Sequence, residues 1–249
     1  MKTLGINIDG IIRDFHSQFD KQYRKMYIHN PSIVAMDEEN MAYKAYSEEE
    51  EKAIEQRIKD KERELITLPV DSFDLLNHYK FDSKTIKMSK LDIEEGVDYT
   101  PIEMSPKQNL EDFLYETYPY QIFGMAPEYP GAMETVNKIQ FLGLSKGLFD
   151  VVLFTTLKSK AITATYAFLG STNCRIKNIK HLNSDSEKWN HCDAVIDIMP
   201  TTFQTKPADK VSIKINHSFN QWDAADYSFQ SIKEVYNEDF FKKIFNTVE

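Results

Sequence analysis

The sequence predicts an α/β protein, a doubly wound parallel sheet carrying an inserted, mostly helical segment. Three observations support this. Apolar runs at 4–8, 150–154, 194–196 and 211–215 are short and, except for the last, reach polar residues at their ends, as buried parallel strands do. Stretches of helical period separate the later runs, as crossover helices would. Between the first and second runs, residues 17–122 hold helical and charged patterns instead. Residues 1–16 and 123–249 therefore form the expected core, with 17–122 as an insertion.

The first run, Leu4-Gly5-Ile6-Asn7-Ile8, meets Asp9-Gly10. Ile12, Phe15, Phe19, Tyr23 and Met26 follow at steps of three and four, so strand, tight turn and amphipathic helix are expected over 4–27. Alternate strand residues share a face, which brings Asn7 and Asp9 together at its end. Ser47-Glu48-Glu49-Glu50 has the spacing of a capping box and opens a highly charged helix to about residue 64, with a thin apolar stripe of Ile54, Ile58 and Leu65. A short helix is expected over 71–79. Residues 81–107 are polar, weakly periodic and punctuated by Gly96, Pro101 and Pro106, a long excursion suited to lid or oligomer contacts. Helical spacing returns at Leu110, Phe113, Leu114, Thr117 and Tyr118, and again from Pro130-Gly131 to Gly143. The run at 150–154 ends in Thr155-Thr156 and leads to a crossover helix at 158–169. A short strand at 175–182, the run ending in Asp197, the run at 211–215 and a closing helix at 239–245 complete the chain.

Composition narrows the partners. With 249 residues there is room for one large domain or for a core with a sizeable insertion. Thirty Lys and Arg stand against thirty-nine Asp and Glu, and the formal charge of −9 repels nucleic-acid backbones. Duplex nucleic acid is thus not expected as a partner, and a phosphate-bearing ligand would be small and met by local lysines. Cys174 and Cys192 are too few for a disulfide framework and lack zinc-site spacing. Neither a secretory signal nor a membrane-spanning apolar run is found, so no membrane partner and a cytoplasmic location are expected.

Three strand ends carry polar groups: Asn7 with Asp9, Thr155 with Thr156, and Asp197, with Lys188 shortly before the last. Neighbouring parallel strands would gather them around one crevice at their C-terminal edge. Carboxylates there suit Mg²⁺, while an ammonium and a hydroxyl suit phosphoryl oxygens.

In this order the residues resemble the four motifs of haloacid dehalogenase (HAD) superfamily phosphatases, over residues 1–16 and about 123–216. The family's Asp-x-Asp-Gly stands here as Asn7-Ile8-Asp9-Gly10. Its Thr or Ser falls on Thr155, its lysine on Lys188 and its closing acid on Asp197. The resemblance implies a Rossmann-like core, a Mg²⁺ cofactor and phosphomonoester hydrolysis. It implies Asp9 as acid/base and metal contact, Thr155 and Lys188 as phosphate contacts and Asp197 as a metal ligand. Thr156, Lys158 and Lys160, beside the second motif, are the further candidates for substrate contact. Residues 8–15 and Phe123-Gly124 look most like 5′(3′)-deoxyribonucleotidases and related viral (phage) proteins. That branch implies a helical cap over 17–122, a nucleoside monophosphate as ligand and, for a viral protein, the host cytoplasm. Self-association through the cap is a further expectation.

Two departures bear on activity. The family's nucleophile is the first aspartate, and Asn7 has no anionic oxygen with which to attack phosphorus. Ile198 follows Asp197 where a second acid is common. Asn7 is either an engineered trapping substitution in an active phosphatase or a natural loss. In the second case the protein is an inactive HAD-fold module for phosphate-ligand binding or assembly.

Overall fold

The computed structural model describes residues 1–28, 49, 52–53, 55–56, 58–60, 75–86 and 102–245. Its strands are β1 (Lys2–Asn7), β2 (Lys84–Ile86), β3 (Ile102–Met104), β4 (Phe149–Thr155), β5 (Ile179–His181), β6 (Ala194–Asp197), β7 (Val211–Ile215) and β8 (Tyr227–Phe229). Six of them form one parallel sheet in the order β5-β4-β1-β6-β7-β8, while β2 and β3 pair antiparallel. The α-helices are α1 (Phe15–Tyr23), α2 (Pro106–Asp112), α3 (Ala132–Ser145), α4 (Lys160–Ser171), α5 (Pro200–Gln204), α6 (Ile232–Val235) and α7 (Glu238–Phe245).

Register explains why this sheet makes a site. One row crosses all six strands as Ile179, Leu153, Ile6, Ile196, Ile213 and Tyr227. It packs into the main core with Met133, Val136 and Ile139 of α3 and Phe168 of α4, while the Phe149 ring packs at a tilt on Phe241 and Phe245 of α7. One residue further along, Asn7 and Asp197 end β1 and β6 beside each other, since Ile6 and Ile196 are partners. The opposite face buries Val152, Phe154 and Val195 against Leu182, Trp189 and Cys192. Gly5 lies on that face, where a Cβ would strike the Phe154 ring.

The sheet strands follow the apolar runs. The first helix begins later than its periodicity suggests. Residues 10–12 form a turn, Arg13 makes isolated bridges to Asp9 and Glu128, and Asp14 caps α1 by accepting from the Ser17 N–H at 3.2 Å. β5 is confined to three residues, and β8 was not anticipated, because Tyr-Ser-Phe is too short to register as a run. Pro106, read as punctuation, instead opens α2, behind a capping box of Ser105 and Gln108. The flanks of the expected excursion pair as β2 and β3, and 87–101 lie outside the described residues. The expected capping box at 47–50 also lies outside them except for Glu49, which is helical, as are 52–53, 55–56 and 58–60. Of the helix expected over 71–79, residues 75–77 form a 3₁₀ turn and 71–74 are outside.

The inserted segment supplies a second buried cluster, built from rings. Phe19 meets Tyr79 edge-on at 4.7 Å and Phe113 at 5.9 Å, and Tyr23 packs on Tyr27, Tyr79 and Phe81 at 4.8–5.4 Å. Phe123 stacks on Phe15 at 5.3 Å, and Ala161 and Ala164 of α4 complete the layer. Three π-helical turns, Arg24–Ile28, Phe113–Thr117 and Tyr120–Gly124, border it. At the far side of the sheet, buried Lys214 donates to the carbonyls of Asn220, Gln221 and Asp223, tying down the turn that displays Trp222 at 95% exposure. Among the described residues, no helix is long and apolar enough to cross a membrane.

Candidate functional site

The C-terminal ends of β1, β4 and β6 bring five of the expected residues into two adjacent groups. In the first, Asn7 Nδ2 donates to Asp197 Oδ1 at 2.8 Å. The same oxygen accepts from the backbone N–H of Ile198 at 2.7 Å and of Met199 at 3.1 Å. Its companion Oδ2 accepts from Lys188 Nζ and from Thr202 Oγ1, each at 2.6 Å. Lys188 is fully buried on a 3₁₀ turn, Asp185–Asn190, and also donates to Asp185 Oδ1 at 2.7 Å. Burial opposes its charge, but Asp197 and Asp185 outweigh that and hold the ammonium above its usual pKa. Trp189, next on the turn, donates its indole N–H to the Thr202 carbonyl at 3.0 Å.

The second group centres on Asp9. Thr155 Oγ1 donates to Asp9 Oδ2 at 3.3 Å, and Arg13 Nε donates to Oδ1 at 2.8 Å, with Nη2 at 2.7 Å from the same oxygen. Nη2 makes an ion pair there without hydrogen-bond alignment. Arg13 has no exposed surface. Its Nη1 donates to the Phe123 carbonyl at 3.0 Å and Thr165 Oγ1 at 3.1 Å, and its guanidinium lies over the rings of Phe123 and Phe168 at 5.1 and 5.2 Å. Gly10 takes a left-handed conformation, φ +79°, to turn the chain away, and a Cβ there would strike Ile198.

Thr156, Lys158 and Lys160 stand apart from both groups. Thr156 is exposed. Lys158 pairs with Glu111 at 3.1 Å and Lys160 with Glu116 at 3.2 Å, reaching across to the inserted segment. Lys158 borders a cleft of about 440 Å³, lined also by Glu111, Asp112, Tyr115, Glu116 and Ser159 among others. Burial pushes the Tyr115 phenol up to about 12, and the charges of Asp9 and Glu111 add to the shift. On the other flank, His16 and His217 both pack on Phe219 at 5.6 and 5.3 Å, and His217 Nε2 is 2.9 Å from the Gly10 carbonyl. Burial, helped by His217, pulls the His16 pKa down to about 4.

Sequence reasoning missed Arg13, Asp185 and Thr202. Arg13 had a signal in its spacing of four from Asp9, but arginine is rarely buried, and the spacing alone reads as a surface pair.

Mg²⁺ does not fit the arrangement. It requires oxygen lone pairs at about 2.0–2.1 Å in near-octahedral array. Five donors already occupy Asp197's two oxygens, which offer about four lone-pair positions. Asn7 turns a donor, not an oxygen, toward it. Among the described residues, no group of three or more His, Cys, Asp or Glu is placed to hold a metal.

Comparison of the chain with known proteins returns no matching family model and no matching curated protein. Among solved structures it is similar to a haloacid dehalogenase-like family hydrolase from Streptococcus pneumoniae, at 10% identity and TM-score 0.47, over 94% of this chain and 96% of that one. It is similar to a HAD hydrolase from Bacillus subtilis bound to magnesium, at 14% identity and TM-score 0.47, over 94% and 96%. A HAD phosphatase from Thermococcus onnurineus aligns at 12% identity and TM-score 0.45, over 98% and 97%. These neighbours are HAD-like hydrolases, and at such identities and TM-scores they carry no weight for this chain's chemistry.

Proposed function

We propose that the chain is a protein of HAD phosphatase descent that no longer transfers phosphoryl groups and serves as a binding or assembly module. The observation that carries this reading is the Asn7 Nδ2 bond to Asp197 Oδ1. Where a nucleophilic carboxylate would stand, an amide donates a hydrogen bond to the neighbouring acid, and nothing at that position can form an aspartyl phosphate. The groups that would meet a phosphate also meet protein instead. The Thr155 hydroxyl donates to Asp9, and Lys188 reaches Asp185, Asp197 and Thr202. The binding surface on this reading is the cleft under Tyr115. Its three carboxylates against one lysine disfavour a phosphorylated ligand unless that ligand brings its own cation.

A second reading keeps the nucleoside-monophosphatase expectation, with Asn7 as a substitution in an active parent. It is favoured by Asp9, whose side chain retains 18% exposure and whose charge reaches Tyr115 in the cleft. The deciding experiment assays the native chain and Asn7→Asp, each with Mg²⁺, against nucleoside monophosphates and sugar phosphates. We expect no turnover from either protein. Native turnover abolished by Asp9→Asn would overturn the proposal, and turnover by Asn7→Asp alone, with aspartate at position 7 of the source gene, would establish the second reading. The assembly role predicts a sedimentation coefficient above that of a 29.0 kDa monomer.

A further inference from the structure

We infer that the centre carries a resident cation of its own: the Lys188 ammonium, set between Asp185 and Asp197, fills the place of a divalent metal. This deepens the reading above, on which it rests for the expectation of a metal at Asp197.

The geometry is that of a cation site. Nζ lies 2.7 Å from Asp185 Oδ1 and 2.6 Å from Asp197 Oδ2, with Thr202 Oγ1 at 3.5 Å. The two carboxylate contacts have the lengths of charge-assisted N–H···O bonds, longer than the roughly 2.0–2.1 Å that magnesium requires. The surrounding oxygens are fixed independently of the lysine. Thr201 Oγ1 donates to Asp185 Oδ2 at 2.8 Å, and the backbone N–H groups of Ile198 and Met199 hold Asp197 Oδ1.

The ammonium cannot readily swing aside to admit a metal. Its turn is pinned on both sides, because the Lys188 carbonyl accepts from the His191 N–H at 3.0 Å and from Cys192 Sγ at 3.0 Å, and Trp189 is bonded to Thr202. Lys188 and Asp197 are fully buried, so the charge of each is compensated by the other and not by water. A divalent ion entering beside Lys188 would meet a positive charge and saturated oxygens. Once the ammonium is deleted, two carboxylates face each other across an empty position of the right size. The native protein therefore has no use for a divalent ion here, and loss of Lys188 creates a need for one.

The test uses the full chain and two probes, thermal unfolding in Mg²⁺ or Ca²⁺ against NaCl of matched ionic strength, and Mn²⁺ binding followed by electron paramagnetic resonance. Native protein should melt at the same temperature in all three salts and show no saturable Mn²⁺ site at the centre. Lys188→Met, which keeps the stem and removes the charge, should melt lower, regain part of the loss in Ca²⁺ or Mg²⁺, and bind Mn²⁺ saturably. If Lys188→Met does not fold, Lys188→Gln takes its place, and the native measurement stands regardless. Saturable binding by the native chain that Asp185→Asn or Asp197→Asn removes would overturn the inference, as would a folded Lys188 variant indifferent to every divalent ion. A chain that binds Mg²⁺ at Asp197 yet hydrolyses nothing would sink this inference alone, and the proposed function would survive.

Discussion

The polar centre at the strand ends and the aromatic layer of the inserted segment are both buried, but opposite kinds of contact hold them. At the centre each bond has one direction and one partner, so removing a group strands a particular atom, as the five donors on Asp197 illustrate. In the layer, Phe19, Tyr23, Tyr79, Phe81 and Phe113 touch through many weak, loosely directional contacts, and neighbours share the loss of any one. The directional region defines what chemistry the protein can or cannot do. The ring-packed region fixes volume and tolerates change of shape. Arg13 belongs to both, with Nε on Asp9 and its guanidinium against Phe123.

That position makes Arg13→Ala the most severe expected change. It should cost about 3–5 kcal/mol, because it leaves Asp9 without its ion partner and opens a void between two rings. Urea unfolding should show a lower midpoint at unchanged slope. A cost under about 1 kcal/mol would mean that the two regions are not joined through this residue.

Acid comes next and acts where the regions meet. His16 has a folded pKa of about 4 against an ordinary value of 6.5, so between these values the unfolded chain binds the extra proton. Stability from this group is complete above pH 6.5 and is lost as pH falls toward 4, by roughly 3 kcal/mol. His217 is shifted the same way, again first by burial, and adds to the effect. Urea midpoints from pH 7 to pH 4 should fall, and His16→Asn should flatten that fall.

The two smaller changes compare one directional bond in each region. Asn7→Asp replaces a donor at 2.8 Å by a like charge facing Asp197, and should destabilise by about 2–3 kcal/mol in the same urea assay. Tyr23→Phe keeps its ring contacts and loses only the hydroxyl bond to the Lys80 carbonyl, for about 1 kcal/mol. The reverse order would show that the layer, not the centre, depends on directed bonds.

The core was legible because burial on both faces leaves a run of apolar side chains that needs no partner to be recognised. Ile6, Leu153, Ile196 and Ile213 share a row because each belongs to such a run. The polar strand ends were legible for the same reason, since Asn7, Thr155 and Asp197 close those runs. What the ends do to one another was not. No local pattern announces that Thr202 and Asp185 share the Lys188–Asp197 pair, because those contacts are made by turns folding back. In the aromatic layer the helical spacing of Phe15, Phe19, Tyr23 and Phe113 was legible, but which rings meet was not. Its rings come from separated segments, several on π-helical turns whose extra residue breaks the 3.6-residue period.

The two tryptophans of the chain give it a built-in optical gauge. Trp222 stands in solvent on the turn that Lys214 fastens, and Trp189 is buried one residue from the lysine between the two carboxylates. A water-borne quencher should silence the first indole and leave the second glowing at shorter wavelength. The remaining emission would then report on the Lys188 turn in unlabelled protein, and anything that loosens that turn should shift its colour.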